Sequence, residues 1–435
     1  MYLVVDEVEF SSLKNLSFSP QTDLTGSSIP INTFSVDVVT DQSISVGDYA
    51  LLKDDLDNLW AKYIVTSAEK IDPETLRVEC KSMLYLCEGY KLDAVMYNGA
   101  SLASVLDFTL VVPTEAQGIT ITLDYTLDSS FSGQTITGYC PEQTPRERLV
   151  WICFCIGAYV KTYFNEQIEI LPIPIAETSV PLEKTYWRPS LTYRDYVTSI
   201  KVKYYSFAAG TPATTDKYVT VGETHYIVTE SAITLVNADA PSGLPKNELT
   251  VEGVYLIHQN NVNAILNFLA RWHFKRQTID AEVIDNAEFM PGQKLNVFTD
   301  PETIMSGYVD NASFSFGKQA KARLHLIATV SVDSSKLTIL YKWDTIQIGK
   351  ATYSFPEGFV YSITNPYIDM TMDGHRYIFR PINAACTGTM GADDETKTEQ
   401  ETPALNLYNK VLHIISVDSF TADASQDGIT IGVIA

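Results

Sequence analysis

The stretch 46–54, VGDYALLKD, decides the fold because the chain repeats its pattern at 291–300, PGQKLNVFTD. Each stretch has a glycine turn, an alternating strand and then an acidic turn. A second strand follows in each copy, with Tyr63-Ile64-Val65 in the first and Gly307-Tyr308-Val309 in the second. A third strand comes after it. The pattern predicts two copies of a small β unit that lie far apart in the chain. Chance similarity is the alternative, since these residue types are common in any β protein.

Most of the remaining chain has the composition of strands and turns. It contains 25 Tyr and 18 Phe, and short runs rich in Val, Ile and Thr are separated by Gly, Pro, Asn and Asp. Several runs alternate between apolar and polar residues, which places one face inward and one outward. We predict an antiparallel, barrel- or sandwich-like architecture with strands at 32–39, 49–53, 62–67, 75–80, 119–123, 199–207, 225–228 and 323–330.

Two segments have a helical period instead. In 144–160, Thr144 and Glu147 have the spacing of a capping box, and apolar residues then recur every three or four positions. The segment 260–277 has an apolar stripe followed by basic residues, which suit the C-terminal end of a helix. The spacing therefore predicts two helices in a mainly β chain. A short third helix at 101–106 has a weaker signal.

The length of 435 residues is too great for one core and suggests several domains. We predict a first β-barrel unit at 1–90, an inserted α+β domain at 91–189, a second β-barrel unit at 190–330 and a C-terminal β extension at 331–435. Within the extension, the acidic and polar segment 387–403 reads as a mobile loop. The predicted fold class is mainly β with an α+β insertion, built on two tube-like antiparallel β-barrels.

The charge balance excludes several functions by default. The 31 Lys and Arg against 53 Asp and Glu give a net charge of −22, so attraction to nucleic acid or to an anionic membrane is not expected. The N-terminal run has no basic segment and is interrupted by acidic residues, so we predict no secretory signal. No stretch reaches the ~20 apolar residues that a membrane-spanning helix needs. The 45% hydrophobic and 19% charged residues indicate a folded chain.

The motifs of common enzymes are missing. The sequence has no phosphate-binding glycine loop, no G-x-S-x-G elbow and no H-E-x-x-H. The six cysteines form no disulfide framework, and Cys153 and Cys155 are expected to be core thiols rather than metal ligands. The histidines are dispersed, and His273 is expected to be a core imidazole. We predict no catalytic, cofactor-binding or metal-binding residues and no cofactor.

Two clusters leave a binding function open. The acidic groups at 54–57 and 393–395 could hold a cation such as Ca²⁺, although neither has the spacing of a known calcium loop, and solvated turns are the favoured interpretation. The dense aromatic residues between 186 and 205 could form a sugar-binding platform, for which cross-strand packing is the commoner explanation. These aromatic residues are Tyr186, Trp187, Tyr193, Tyr196, Tyr204 and Tyr205.

The order of these segments resembles the hub proteins at the distal end of bacteriophage tails and of related contractile injection machines. This group includes baseplate hubs and the N-terminal part of tail-associated lysins. The resemblance runs from about 36 to 330 and is one of order and pattern. It is carried by SVDVV, VGDYALLKD, LWAKYIV, TPRERLVWICFCIGAYV with NEQIEILPI, NAILNFLARWHFKRQ, and MPGQKLNVFTD with SGYVDNASFSF.

The resemblance implies a structural function. Hubs of this kind contain two tube-like β-barrels per chain and form trimers, so three chains give a pseudo-sixfold ring that can mate with a hexameric tail tube. The implied partners are two further copies, the tail tube, distal tip, needle or fibre proteins, the tape-measure protein and DNA that passes through without specific binding. The implied location is the virion tail tip or baseplate, assembled in the bacterial host cytoplasm. A lumen lined by carboxylates would let DNA slide.

Two other functions stay open. Some relatives carry a peptidoglycan-cleaving domain after the hub region, so the C-terminal segment could be a tail-associated cell-wall hydrolase. The aromatic residues around Trp187 could instead bind host carbohydrate. The lack of nucleophile or metal signals in the last ~105 residues favours a non-enzymatic structural protein over the hydrolase, and cross-strand packing is the commoner explanation of the aromatic residues.

Overall fold

The structure, a computed structural model, describes residues 1–114, 119–173, 180–181, 189–283, 289–298, 304–316 and 320–332, and beyond them the backbone of the strands. In the first part, seven strands are joined by tight turns. Apolar residues alternate with polar ones along them, for example from Phe34 to Val38, so one face is buried. The strands are β1 Tyr2–Val5, β2 Val8–Phe10, β3 Leu13–Ser19, β4 Thr33–Val39, β5 Tyr49–Lys53, β6 Leu59–Asp72 and β7 Thr75–Ser82.

Short strands, two helices and two 3-10 turns follow in the predicted α+β region. The second helix is held at its start by the capping box of Thr144 and Glu147 and ends at Gly157 in the left-handed conformation. The helices bury Leu106 and Leu149 in one apolar cluster. The elements are 3-10 Met83–Glu88, β8 Val95–Ser101, α1 Leu102–Leu110, β9 Val111–Thr114, β10 Ile119–Thr122, β11 Tyr125–Leu127, 3-10 Ser129–Phe131, β12 Thr135–Cys140, α2 Pro145–Ile156, β13 Ala158–Lys161, β14 Ile168–Pro172 and β15 Val180–Pro181.

The third part contains the next helix and nine strands. Four of these strands form a sheet of their own in the order β18-β19-β17-β20, and α3 packs on it through Ile265 and Leu269. The elements are β16 Ser190–Tyr193, β17 Ser199–Ala209, β18 Tyr218–Val221, β19 Thr224–Val236, β20 Glu248–Val251, α3 Val262–His273, β21 Gln277–Val283, β22 Lys294–Phe298, β23 Ile304–Phe316 and β24 Ala320–Val332.

The C-terminal strands pair mostly as hairpins. The largest of these sheets has the order β29-β30-β34-β33. The strands are β25 Thr338–Leu340, β26 Thr345–Ile348, β27 Ala351–Ser354, β28 Val360–Ser362, β29 Ile368–Met372, β30 His375–Ile382, β31 Thr387–Thr389, β32 Glu399–Glu401, β33 Leu405–Leu407, β34 Lys410–Val417, β35 Thr421–Gln426 and β36 Gly428–Gly432.

Contacts divide the chain into two compact units, and the four-segment division made from the sequence stays a prediction. One unit comprises Met1–Thr178, Ser190–Lys294 and Gly307–Thr329, and the other comprises Ser179–Pro189, Leu295–Ser306 and Val330–Ala435. In the second unit, β15 and β22 form a parallel pair. The fold class predicted from the sequence, mainly β with an α+β insertion, is confirmed. No helix in the described part of the chain is long and apolar enough to cross a membrane.

The first unit is built on one long antiparallel sheet. Its strand order is β16-β21-β24-β23-β3-β4-β7-β6-β5-β1-β2. A block of strands from residues 190–332 therefore joins a block from residues 2–82, and the inserted elements lie outside this order. The first thirty residues, which the family resemblance left out, supply β3, where the two blocks meet.

Candidate assembly surface

The two glycine turns found in the sequence have the same structure. Gly47 has φ +100° and Gly292 has φ +94°, a region in which only glycine is unstrained. The Asp48 amide donates to the Ser45 carbonyl at 3.3 Å, and the Gln293 amide donates to the Met290 carbonyl at 3.2 Å. In each turn the last side chain also accepts a hydrogen bond from the first amide, at 2.8 Å to Asp48 and 2.9 Å to Gln293.

Each turn is tied to the next strand by the same pair of backbone bonds. Gly47 donates to the Val65 carbonyl and Val65 donates to the Asp48 carbonyl, both at 2.9 Å. In the second copy, Gly292 donates to the Val309 carbonyl at 2.7 Å and Val309 donates to the Gln293 carbonyl at 2.9 Å. Val65 and Val309 are both fully buried. The internal repeat suggested by the sequence is therefore a structural one.

A cross-strand ion pair also occurs in both copies. Asp37 on β4 lies opposite Arg77 on β7, with 2.9 Å between Oδ1 and Nε. Glu282 on β21 lies opposite Arg323 on β24, with 3.7 Å between Oε1 and Nε. The Arg77 hydrogen bond lowers the pKa of Asp37, against the opposing effect of burial. These pairs fix the correspondence of β4 with β21 and of β7 with β24.

The same correspondence matches the buried faces of the two copies. In both copies, residues one and three positions from the ion-pair residues are buried, as expected for strands with one packed face. The matched pairs are Phe34 with Ile279, Val36 with Ala281, Val38 with Val283, Val78 with Leu324, and Cys80 with Leu326. We call residues 13–82 of the sheet the first repeat, and β16 together with 277–332 the second repeat.

The two repeats are joined edge to edge within the chain. The end of β23 pairs with β3, with Phe314 opposite Phe18 and Ser315 opposite Ser17. The ladder continues through a 3.1 Å bond from the Ala312 amide to the Pro20 carbonyl. Phe18 and Phe314 are fully buried, with stacked rings 6.3 Å apart. We call this edge pairing the in-chain joint.

A histidine lies beside the in-chain joint. His325 on β24 is 2.7 Å from Asp310 on β23, measured from Nδ1 to Oδ1. The hydrogen bond to Asp310 raises the pKa of His325, and partial burial of the imidazole opposes this increase. The negative charges of Asp310 and Asp280 raise the pKa further, whereas the positive charge of Arg194 lowers it. The backbone carbonyl of Asp310 accepts a 2.9 Å bond from Thr22. The protonation of His325 is therefore linked to the joint.

The outward face of the sheet carries charges of both signs. Arg77 and Glu79 are exposed on the first repeat, and Asp280 and Arg323 are exposed on the second. Each of the two arginines has a carboxylate partner in its ion pair. The face is therefore not the uniformly acidic wall that the net charge suggested, and its guanidinium groups are locally neutralised.

Of the two cysteines of α2 that the sequence placed in the core, one is buried and the other lies at the edge of the apolar cluster. Cys153 is buried and packs in the cluster of α1 and α2, and Cys155 is partly exposed. Burial raises the pKa of Cys153 to about 12 and raises that of Cys155 as well. Over the residues that the structure describes, no group of three or more His, Cys, Asp or Glu is placed to hold a metal ion.

A small polar cavity brings together residues that the sequence did not connect. Cys155, His258 and Asn261 all line it. The His258 Nδ1 accepts a 3.2 Å bond from the Asn260 amide, and the Asn261 side chain accepts a 2.8 Å bond from the His258 amide. Since these groups hold the turn before α3 and burial raises the Cys155 pKa, the arrangement favours a structural role. His273, at the end of α3, is half-buried, and burial lowers its pKa.

The acidic turn after β5 directs its carboxylates to separate partners. Asp54 accepts from the Leu56 and Asn58 amides at 2.9 and 2.8 Å and so closes its own turn. Asp55 bonds the N-terminal amine, and Asp57 bonds both Tyr2 and Lys53. The turn interpretation made from the sequence fits this geometry. The second acidic cluster, at 393–395, lies outside the described residues.

The aromatic segment does not present a free platform in its described part. The rings of Tyr193 and Tyr196 lie over the Arg276 guanidinium, with centroids at 5.1 and 4.3 Å. Tyr205 is buried and accepts a 2.8 Å bond from the Gly253 amide. Tyr204 lies in the α3 cluster. Trp187 and Tyr186 lie outside the described residues.

Comparison with solved structures finds the same architecture in phage tail proteins. The 43 kDa tail protein of prophage MuSo2 from Shewanella oneidensis matches with a TM-score of 0.51 at 10% identity, over 75% of this chain and 97% of its own. The tail protein of Neisseria meningitidis MC58 matches with a TM-score of 0.53 at 10% identity, over 75% and 95%. The prophage tail protein gp18 of Listeria monocytogenes EGD-e matches with a TM-score of 0.50 at 11% identity, over 75% and 94%.

Sequence comparison adds nothing to this result. No protein-family model matches the chain. No curated protein matches it either. The similarity is one of fold, and at that level the resemblance drawn from the sequence is confirmed: the chain has the fold of bacteriophage tail proteins.

Proposed function

We propose that the chain is the structural hub of a phage tail tip or baseplate. Three copies would form a ring that joins the hexameric tail tube to distal tip, needle or fibre proteins. The observation that carries this proposal is the in-chain joint between two matching repeats. Because one chain already supplies two adjacent copies of one β unit, three chains supply six. A ring of six similar units is what a sixfold tube requires at its end.

The same geometry supports a channel through the ring. The buried face of the sheet carries Phe18, Phe34 and Phe314, whose rings pack against Trp60 and Tyr63 of β6 in the same sheet. The outward face is left for solvent, and we propose that it lines the lumen. Its arginines are paired with Asp37 and Glu282, so passing phosphates would meet no free guanidinium at these positions. DNA and the tape-measure protein would pass without being held.

We propose no catalytic function for the described region. Burial raises the pKa of the Cys153 and Cys155 thiols. Among the described histidines, His325 is paired with Asp310 in the sheet. The cell-wall hydrolase alternative concerns residues after 331, whose side chains the structure does not describe. A peptidoglycan-release assay on the full chain tests it directly.

The proposed location is tested by labelling assembled tails. A gold label on a C-terminal tag should appear at the distal end of the tail, at one site per particle. A label distributed along the tail tube would contradict the hub function, and so would particles that assemble complete tails without the chain.

A further inference from the structure

Two strand edges of the repeats, one in β6 and one in β16, have no partner among the described strands. In β6, residues 66–72 extend beyond β5, which pairs only as far as Ile64. In the second repeat, β16 pairs with β21 on one side and with no described strand on the other. Glu69, Lys70, Ile71 and Asp72 are all exposed, with Ile71 at 49%, and Tyr193 on β16 is 55% exposed. Such edges present free N–H and C=O groups that can pair with another chain.

These two edges correspond to the two strands of the in-chain joint. Val65 matches Val309 through the bonds to the glycine turns, so residues 66–70 match 310–314. β6 has a bulge between Val65 and Ser67, and the buried residues of β23, Val309, Ala312 and Phe314, show the same change of spacing. A second register shift, between Lys70 and Asp72, ends the match. On the other side, Leu191 on β16 lies opposite Ile279, and Phe18 on β3 lies opposite Phe34, the residue that matches Ile279. Leu191 therefore matches Phe18, and β16 matches β3.

We infer that residues 66–70 of β6 pair antiparallel with β16 of a second copy of this chain, in the register of the in-chain joint. This inference rests on the proposed ring and names the edges that close it. Since Phe314 lies opposite Phe18, Lys70 lies opposite Leu191 of the second copy, and Glu69 lies opposite Thr192. The contact is head to tail, so each copy offers both edges and repetition of the contact closes a ring.

The charges at the two edges agree with this register. Glu69 falls opposite Thr192 of the second copy, which puts Arg194 at the diagonal position on the same face of the sheet. Side chains in that relation lie within reach of long residues. Glu69 and Arg194 are both exposed. A negative group on one edge thus meets a positive group on the other.

A disulfide trap tests the register. Glu69 and Thr192 would form a pair without mutual backbone bonds, as Ser313 and Ser19 do, which brings side chains closest. Under mild oxidation we expect the E69C/T192C variant to give linked dimers and trimers on a non-reducing gel, whereas each single variant stays at the mass of one chain. The S19C/S313C variant is the matched control, since the Ser19 and Ser313 hydroxyl oxygens are 3.5 Å apart. It should form a bond within one chain and show that the register supports a disulfide.

Reversal of the two edge charges is the second test of the inference. E69R should raise the dissociation constant of self-association at least tenfold at low salt, measured from the mass in solution at a series of concentrations. Adding R194E to the same chain should restore the original dissociation constant. A stable trimer without linked E69C/T192C species and without charge rescue would overturn the edge inference and leave the proposed ring intact. A single-chain mass at all concentrations, again without linked species, would overturn both the edge inference and the ring.

Discussion

At the scale of single residues, the repeat is set by a few positions with a strict physical requirement. Gly47 and Gly292 each occupy a backbone conformation that a side chain strains. Asp37 with Arg77, and Glu282 with Arg323, place the same charge pair on both copies. The glycines were visible in the sequence because turns need them. The ion pairs were not visible, since their partners are about forty residues apart and the cross-strand register is set by packing.

Replacing Gly47 by alanine should lower the free energy of unfolding by about 1–2 kcal/mol, because a Cβ in the left-handed region meets its own backbone. A Cβ at Gly47 would meet nothing else within 4 Å, so the loss measures backbone strain alone. Gly292→Ala should cost more, since its Cβ would lie 3.0 Å from the Tyr159 hydroxyl. Denaturant unfolding gives both values.

Gly89→Ala is the control for these substitutions. Gly89 has φ −79° and its nearest contact would be at 3.9 Å, so alanine should leave stability unchanged or raise it slightly. A Gly47→Ala protein as stable as the Gly89→Ala protein would contradict the assigned turn.

His325 should make stability depend on pH in one direction. Its folded pKa is raised, so the Asp310 contact adds stability that is fully present below the unfolded value of about 6.5 and is lost as pH rises through the folded value. His325→Gln should therefore be less stable than the natural chain at acidic pH, with the difference shrinking as the solution becomes basic. Unfolding curves across this range test it. A difference that grows with pH would contradict the assignment, and Asp310→Asn should remove the pH dependence.

At the scale of elements, local signals predicted more than long-range ones. The capping box predicted from Thr144 and Glu147 is present at the start of α2, since a helix start depends on four neighbouring residues. The pairing of β23 with β3 was not predicted, because it joins residues about three hundred positions apart and β3 has no distinguishing motif. The sheet of β17–β20 was assigned to the second repeat, although it forms an independent sheet. An alternating apolar and polar pattern identifies a strand but does not show which other strand it pairs with.

The in-chain joint should contribute strongly to the stability of a single chain. Phe314→Ala removes a fully buried ring that stacks on Phe18 and should cost about 3–5 kcal/mol in the free energy of unfolding. The corresponding residue of the first repeat is the exposed Lys70, and Lys70→Ala should change stability by less than about 0.5 kcal/mol. Equal losses for the two variants would show that Phe314 does not anchor the joint.

At the scale of the whole molecule, the positions of the charged groups change the interpretation of the acidic composition. The −22 net charge suggested a repulsive wall for DNA, but the outward face of the sheet carries arginines that their carboxylate partners neutralise. Composition could not locate these charges, since it counts them without their positions. The account therefore depends on charge pairing on that face rather than on the total.

Removing the carboxylate partners should make the outward face bind DNA. The D37N/E282Q variant leaves Arg77 and Arg323 unneutralised, and its affinity for duplex DNA at low salt should rise several-fold, with a steep loss as salt is added. Filter binding or fluorescence anisotropy measures it. D6N/E7Q, in the exposed turn between β1 and β2, makes the same charge change elsewhere and is the control. Equal DNA binding by the two variants would mean that total charge, not the paired arginines, sets the affinity.

The central claim is that three chains form the ring, and the mass of the purified natural chain in solution tests it most directly. Light scattering or native mass spectrometry should give three times the 48.4 kDa chain mass, and averaged images should show a threefold ring with six similar lobes. A chain that keeps the mass of one copy at all concentrations, and that occurs singly at the tail tip, would contradict the claim.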